Sequence, residues 1–333
     1  MARNHTVDTR AARRGVVCPP ESVASSSMAI AVVFPGQGSQ LMGMADPWVG
    51  HPAGRTVLEQ ASEAMGRDIV AGCHDEAALA TTAFVQPALL ACGVAGFCVL
   101  DAEGLTGVVG AAGHSLGEFS ALVAAGALGL GDALELVVVR GEAMQRAAEA
   151  ERGSMIALLG AGPDDAEALC DGARGDDVLL VANRNSPVQS VISGSVAAIE
   201  RAETLAADRR IRAVRLKVAG AFHSPLMQPA VEPIRRALAE LELLPPAFPI
   251  ASNVSGELVS DAADLRSLLE RHVISPVRWL DDAQALAAAG ATTFLECGPG
   301  DVLTKMSKRA TPGVTALAVG SPEAAAAAVS SAT

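Results

Sequence analysis

Residues 110–120 read GAAGHSLGEFS, a serine held between two glycines, with a short apolar run before it and an Ala/Leu-rich run after it. No other feature constrains the fold as much. The first run reads as a buried strand and the second as a helix. The glycines permit a turn so sharp that neighbouring backbones leave no room for a Cβ. Such a turn puts Ser115 at the carboxyl edge of a sheet and at a helix N-terminus. Free N–H groups and the helix dipole there can stabilise an oxyanion, which makes Ser115 a candidate nucleophile.

The surrounding rhythm agrees. Residues 29–34 (AIAVVF) predict a buried strand running into a Pro-Gly-Gln-Gly loop, residues 86–100 a buried helix with Pro87 in its first turn, and residues 106–110 a second strand. Helices are expected over 116–127 and 131–150. This alternation predicts an α/β fold, a hydrolase-like parallel sheet covered by helices. From residue 154 the order becomes β-α-β-β-α-β, the pattern of a ferredoxin-like unit. The expected organisation is therefore a core made of residues 28–153 and 221–320, with a ferredoxin-like subdomain inserted at 154–220. Residues 1–27 are expected to be a disordered extension and residues 321–333 a flexible tail.

Composition excludes several function classes. A net charge of −12 with no long basic run argues against nucleic acid as a partner. No apolar stretch is expected to reach the ~20 residues that a membrane span needs. The six cysteines (Cys18, Cys73, Cys92, Cys98, Cys170, Cys297) lack metal-type spacing, which predicts buried thiols in a reduced, cytoplasmic protein with no metal site.

A serine nucleophile needs a base. Of the six histidines, His5 lies in the extension, His51 and His74 lie in polar segments, and His114 adjoins the serine, so His223 and His272 remain. His223, in VAGAFHSPLM just after the last strand of the predicted insertion, is the better candidate. No carboxylate stands out to orient it, so a backbone carbonyl is expected on its second nitrogen, giving a Ser-His dyad.

Nine segments in order resemble the malonyl-CoA:acyl-carrier-protein transacylases of fatty acid and polyketide synthesis. They are FPGQGSQ (34–40), VQPALL (85–90), GHSLGEFSAL (113–122), VVVRGEAM (137–144), ANRNSPVQSVISG (182–194), GAFHSPLM (220–227), SNVSG (252–256), SPVRW (275–279) and ECGPGDVLTKM (296–306). The resemblance implies that Ser115 attacks the thioester of malonyl-CoA with His223 as general base. It implies an oxyanion hole made by the N–H groups of Gln37 and Leu116, and Arg140 as the bidentate partner of the malonyl carboxylate. Gln86 would orient Arg140, and Phe222 and His114 would line the acyl site. Asn185, Asn253 and His272 would be supporting residues, the backbone carbonyl of His272 standing where relatives often carry Gln.

The resemblance further implies ping-pong transfer to the phosphopantetheine thiol of an acyl carrier protein, by a monomer that needs no cofactor beyond the CoA thioester. Leu116 and Ala221-Phe222 match malonyl-selective relatives. Gly220, where many polyketide-type domains have His, suggests a discrete enzyme. Arg209, Arg210, Arg212, Arg215 and Lys217, or Lys305, Lys308 and Arg309, could meet an acidic carrier. The rival readings are a transacylase for another dicarboxylic extender unit and an acyl-carrier-protein acyl hydrolase of the same fold.

Overall fold

The computed structural model describes residues 28–332. Its ten strands in chain order are β1 (Ile30–Phe34), β2 (Val108–Gly113), β3 (Gly153–Leu159), β4 (Leu179–Ser186), β5 (Gln189–Ser195), β6 (Arg212–Arg215), β7 (Ile250–Ala251), β8 (Leu258–Val259), β9 (Thr293–Cys297) and β10 (Thr315–Val319). They form two sheets. The larger has the order β10-β9-β1-β2-β7-β8, parallel throughout except for the β7–β8 edge. Its strands β1 and β9 are buried at every position, as in a sheet covered on both faces; β1 is apolar throughout, and in β9 the buried Glu296 carboxylate accepts the Leu303 and Thr304 N–H groups.

The smaller sheet, β4-β5-β3-β6, is antiparallel and is formed between two stretches of the larger one. Its βαββαβ order, with helices Pro163–Ala173 and Val196–Asp208, is that of a ferredoxin-like unit. One face of this sheet, with Ile156, Leu158, Val181 and Ile192, packs on those helices as a core of its own. The other, with Met155, Ala157, Ala182 and Val191, joins the core of the larger unit. The fold is thus the predicted α/β parallel sheet carrying a second, antiparallel sheet.

Several boundaries differ from expectation. The helix expected over 86–100 spans Thr82–Ala102, so Pro87 falls inside it at the loss of one backbone hydrogen bond. This helix is 21 residues long with mean hydropathy 2.0, so an apolar stretch of membrane-spanning length does exist; 94% of that window is buried inside the protein. Strand β2 continues through Gly113, because its small residues let it lie close to β1. The helix after Ser115 ends at Ala124, three residues before the expected 127. The expected flexible tail, residues 321–333, is corrected as well: Pro322–Ala332 is a helix whose Ala325, Ala328 and Val329 are buried in the main core. The extension at residues 1–27, with His5 and Cys18, lies outside the described residues. Cys73, Cys92, Cys98, Cys170 and Cys297 are all buried free thiols.

Candidate active site

The carboxyl ends of β1 and β2 lie side by side, so the loop after β1 (Gln37) and the turn after β2 (His114, Ser115) meet at the edge where parallel sheets bind ligands. Ser115 has φ +52°, a left-handed backbone that a serine holds only under constraint. The constraint is visible in the flanking glycines. A Cβ on Gly113 would lie 1.8 Å from the Gly117 carbonyl carbon, and one on Gly117 would lie 2.0 Å from the Phe34 oxygen. Asn253, just beyond β7, clasps the turn from below. Its Oδ1 accepts the Ser115 N–H at 2.6 Å, and its Nδ2 donates to the Gly113 carbonyl at 2.7 Å and to Asp282 at 2.8 Å.

His223 reaches Ser115 from the segment that follows β6. Its Nε2 lies 2.8 Å from Ser115 Oγ. Its Nδ1 is 2.9 Å from the Ser275 carbonyl and 3.2 Å from the His272 carbonyl. Carbonyls only accept, so the proton sits on Nδ1 and Nε2 is free to accept the serine proton. Burial holds the His223 pKa well below the usual histidine value, with His272, Arg140 and His114 adding to the shift against the Ser275 carbonyl. The imidazole is therefore neutral, as a base must be. The other histidines lie elsewhere: His51 caps the helix Pro52–Met65 and His74 pairs with Asp46.

Arg140, midway along the helix Leu130–Ala150, is 1% exposed. Its Nη1 donates to Gln86 Oε1 at 2.6 Å and its Nη2 to Ser115 Oγ at 3.1 Å. Nε has no hydrogen-bond partner, and no carboxylate among the described residues forms an ion pair with Arg140. Burial lowers its pKa to about 10, partly offset by Glu118, so it stays a cation. Buried charges are normally paired. An unpaired guanidinium 3.1 Å from a nucleophile is a seat prepared for an anionic part of a ligand.

The pocket around these groups encloses about 80 Å³ and is lined by Gln37, Gln86, Leu116, Met144, Phe222 and Val218 among others. That is well below the ~300–1,000 Å³ of sites for drug-sized ligands, and it suits a short acyl group. The N–H groups of Gln37 and Leu116 border it, and neither donates to a backbone or side-chain acceptor among the described residues. His114 also lines it. Its Nε2 meets Asn185 Oδ1 at 2.9 Å, and burial lowers its pKa. Met144, Met155, Leu216 and Val218 also line the pocket, though the sequence singled out none of them; scattered apolar residues, on a helix, a strand and the segment after β6, look like ordinary core until the fold turns them to one cavity. A cleft of about 410 Å³, walled by Gln189, Lys217, Val302 and Met306, adjoins the pocket through Gln37, His114, Asn183, Leu216 and Val218.

Comparison with known proteins agrees with this geometry. The acyl transferase domain family matches residues 31–327. The malonyl CoA-acyl carrier protein transacylase of Bacillus subtilis is 38% identical over 299 residues, covering 88% of this chain and 94% of that one. The crystal structure of the malonyl-CoA:acyl carrier protein transacylase from Xanthomonas oryzae pv. oryzae superposes with TM-score 0.88 at 40% identity, covering 93% of this chain and 100% of that one. A malonyl-transacylase solved in complex with its type II PKS acyl-carrier protein superposes with TM-score 0.87 at 34% identity, covering 91% and 99%.

Proposed function

The chain belongs to the acyl transferase domain family, and from that membership we propose the reaction its site performs. It is a malonyl-CoA:acyl-carrier-protein transacylase, moving malonyl from CoA to the phosphopantetheine thiol of a carrier protein. The observation that carries the choice of acyl group is the buried, unpaired Arg140 beside Ser115. A hydrolase acting on uncharged acyl chains has no use for such a cation.

In this reading the Ser115 hydroxyl gives its proton to His223 Nε2 while Oγ attacks the thioester carbonyl. The N–H groups of Gln37 and Leu116 face the oxyanion. The C–S bond breaks, the proton passes to the CoA sulfur, and malonyl remains esterified to Ser115. The carrier thiol then gives its proton to His223 and attacks the ester, and Ser115 leaves with the proton. Arg140 holds the malonyl carboxylate in a bidentate pair throughout, oriented by Gln86. Phe222 and Leu116 fill the space of an α-methyl group, which favours malonyl over methylmalonyl by about 1–3 kcal/mol. The thioester brings the activation, so the chain's own residues suffice without a cofactor. Residues 28–153 and 221–320, with the helix Pro322–Ala332 packed on them, form the catalytic core and 154–220 the inserted unit that closes the cleft.

The experiment is a label chase with radioactive malonyl-CoA, acetyl-CoA and methylmalonyl-CoA, followed by holo carrier protein. Malonyl label should load onto Ser115 and move to the carrier. Label that passes to water in the presence of carrier overturns transfer in favour of hydrolysis.

The carrier's approach has a candidate surface. Helix Val302–Ala310 and the segment after β6 face each other across the cleft. Lys305 is tied to Asp301 at 2.7 Å and Arg215 to Glu203 at 2.6 Å. Lys308 and Arg309 are exposed and border a hollow continuous with the cleft, and they form no ion pair among the described residues. The double change Lys308→Glu, Arg309→Glu should raise KM for carrier protein about tenfold, most at low salt, and leave serine malonylation unchanged. Equal carrier kinetics across salt concentrations would remove these residues from the docking surface.

A further inference from the structure

Behind the dyad lie two ionisable side chains that the reaction above does not use. Glu118, in the first turn of the helix Gly117–Ala124, has 0% exposure, and His272, in the turn His272–Ile274, has 1%. Glu118 Oε2 and His272 Nε2 approach to 3.2 Å, within ion-pair distance but without the alignment of a hydrogen bond. Glu118 Oε1 and His272 Nδ1 have no hydrogen-bond partner among the described residues. The His272 ring stands edge-on to the His223 ring at 5.7 Å and to the Phe119 ring at 5.8 Å.

A carboxylate at full burial is unfavourable unless something offsets it. Apart from the buried Ser120, the side chains of this helix beyond Glu118, those of Phe119, Ala121, Leu122, Val123 and Ala124, are apolar core, so an alanine or leucine would serve packing better at position 118. What distinguishes Glu118 is where its two connections lead. On one side Oε2 accepts the backbone N–H of Asn253 at 3.0 Å, and the Asn253 side chain holds the Ser115 N–H. On the other side it meets His272, whose own carbonyl accepts from His223 Nδ1. One carboxylate thus reaches the nucleophile and the base, each through a single intervening residue.

We propose that Glu118 and His272 act together as a positioning unit for the Ser115–His223 dyad. The carboxylate anchors the His272 ring, and the anchored residue presents its carbonyl to His223. The proposal rests on Ser115 and His223 being the dyad. It differs from a triad in one consequential way. A carboxylate bonded directly to the base would raise its basicity, whereas here His272 stands between them and lowers the His223 pKa. His223 is faced by His272, by Arg140 from the helix Leu130–Ala150 and by His114 from the turn after β2, with the Ser275 carbonyl opposing all three. The helices Gln228–Ala239 and Ala262–Glu270 also pack on the His272 turn. Among their charges, Glu232 pairs with Arg235 and Arg236, Arg266 donates to the Leu238 and Leu241 carbonyls, Glu270 acts on Arg235 and Asp264 is exposed.

The test compares Glu118→Gln, His272→Ala, the conservative His272→Gln and the double variant Glu118→Gln, His272→Ala. One readout is the rate at which a fluorophosphonate labels Ser115, which needs no malonyl-CoA. The other is kcat and KM for malonyl transfer, each followed between about pH 5 and pH 8. Glu118→Gln and His272→Ala should each lower labelling and kcat about tenfold with KM for malonyl-CoA unchanged, and the double should lose no more than the worse single, as residues acting as a unit do. His272→Gln, whose amide keeps a donor for Glu118, should retain most of both rates. Both His272 variants should also move the acid limb of labelling to higher pH, because the ring that lowers the His223 pKa is gone. Additive losses in the double variant, a tenfold loss in His272→Gln, or an acid limb that stays in place would overturn the proposal. If Glu118→Gln does not fold, the two His272 variants decide alone. Wild-type labelling without malonyl transfer would sink the malonyl reading and leave this one standing.

Discussion

Arg140→Ala is expected to lower kcat/KM for malonyl-CoA by about 10²–10⁴-fold, the size of losing one partner of a buried charge pair, about 3–5 kcal/mol. Acetyl-CoA should lose far less, because it brings no carboxylate to the site. Its smaller loss comes from the bond that Arg140 Nη2 makes to Ser115 Oγ at 3.1 Å, which helps to hold the nucleophile whatever the acyl group. The ratio of the two substrates is therefore the informative quantity. Arg140→Lys should recover only part of the malonyl activity, since an ammonium cannot bond Gln86, Ser115 and a carboxylate in one plane as a guanidinium does. Competition between the two labelled thioesters measures the ratio directly. If Arg140→Ala slows both equally, the arginine is a support for Ser115 and the carboxylate is read elsewhere.

The legible parts of this site are those where covalent geometry forces a residue type. The elbow could be read because only glycine fits where an added Cβ would come within 2.0 Å of neighbouring backbone, as at Gly113 and Gly117. His223 could be reached because a serine needs a base and few histidines were placed to serve. Its orienting group was reached only in part: the lack of a suitable carboxylate left a backbone carbonyl, and the resemblance implied that of His272, but the nearer Ser275 carbonyl was not read, because backbone carbonyls have no signature in a sequence. Glu118 was passed over for a different reason. A glutamate in the first turn of a helix is an ordinary dipole partner, and only tertiary burial shows that it has no solvent to face.

The fold follows the same division. The central strand β1 carries an unbroken apolar run and was legible. The edge strand β10 alternates exposed and half-buried positions through TALAV, and its Ala and Thr do not separate strand from loop. The final helix is rich in alanine, which is compatible with fraying, and its burial depends on core surface that distant segments supply. Residues 52–65 form a long helix against Thr82–Ala102, with a polar outer face that hid its inner stripe of Val57, Leu58 and Ala61.

The second large effect concerns the dyad itself. Ser115→Ala should abolish enzyme labelling, and His223→Ala should slow acylation by about 10⁴-fold or more, with the double variant no worse than Ser115→Ala because the two act as one unit. The wild-type pH profile should carry the mark of His223's surroundings. The base works in its neutral form, and burial first, with smaller contributions from His272, Arg140 and His114, depresses its pKa well below the ordinary 6.5. The depressed value extends the neutral form toward acid, so kcat/KM for acylation should stay level as pH falls through 6.5 and decline only further down. Stopped-flow release of CoA measured across this range checks the prediction. A limb at or above 6.5 would mean that the group titrating in the free enzyme is not His223 in the environment described, and the assignment of the base would have to move.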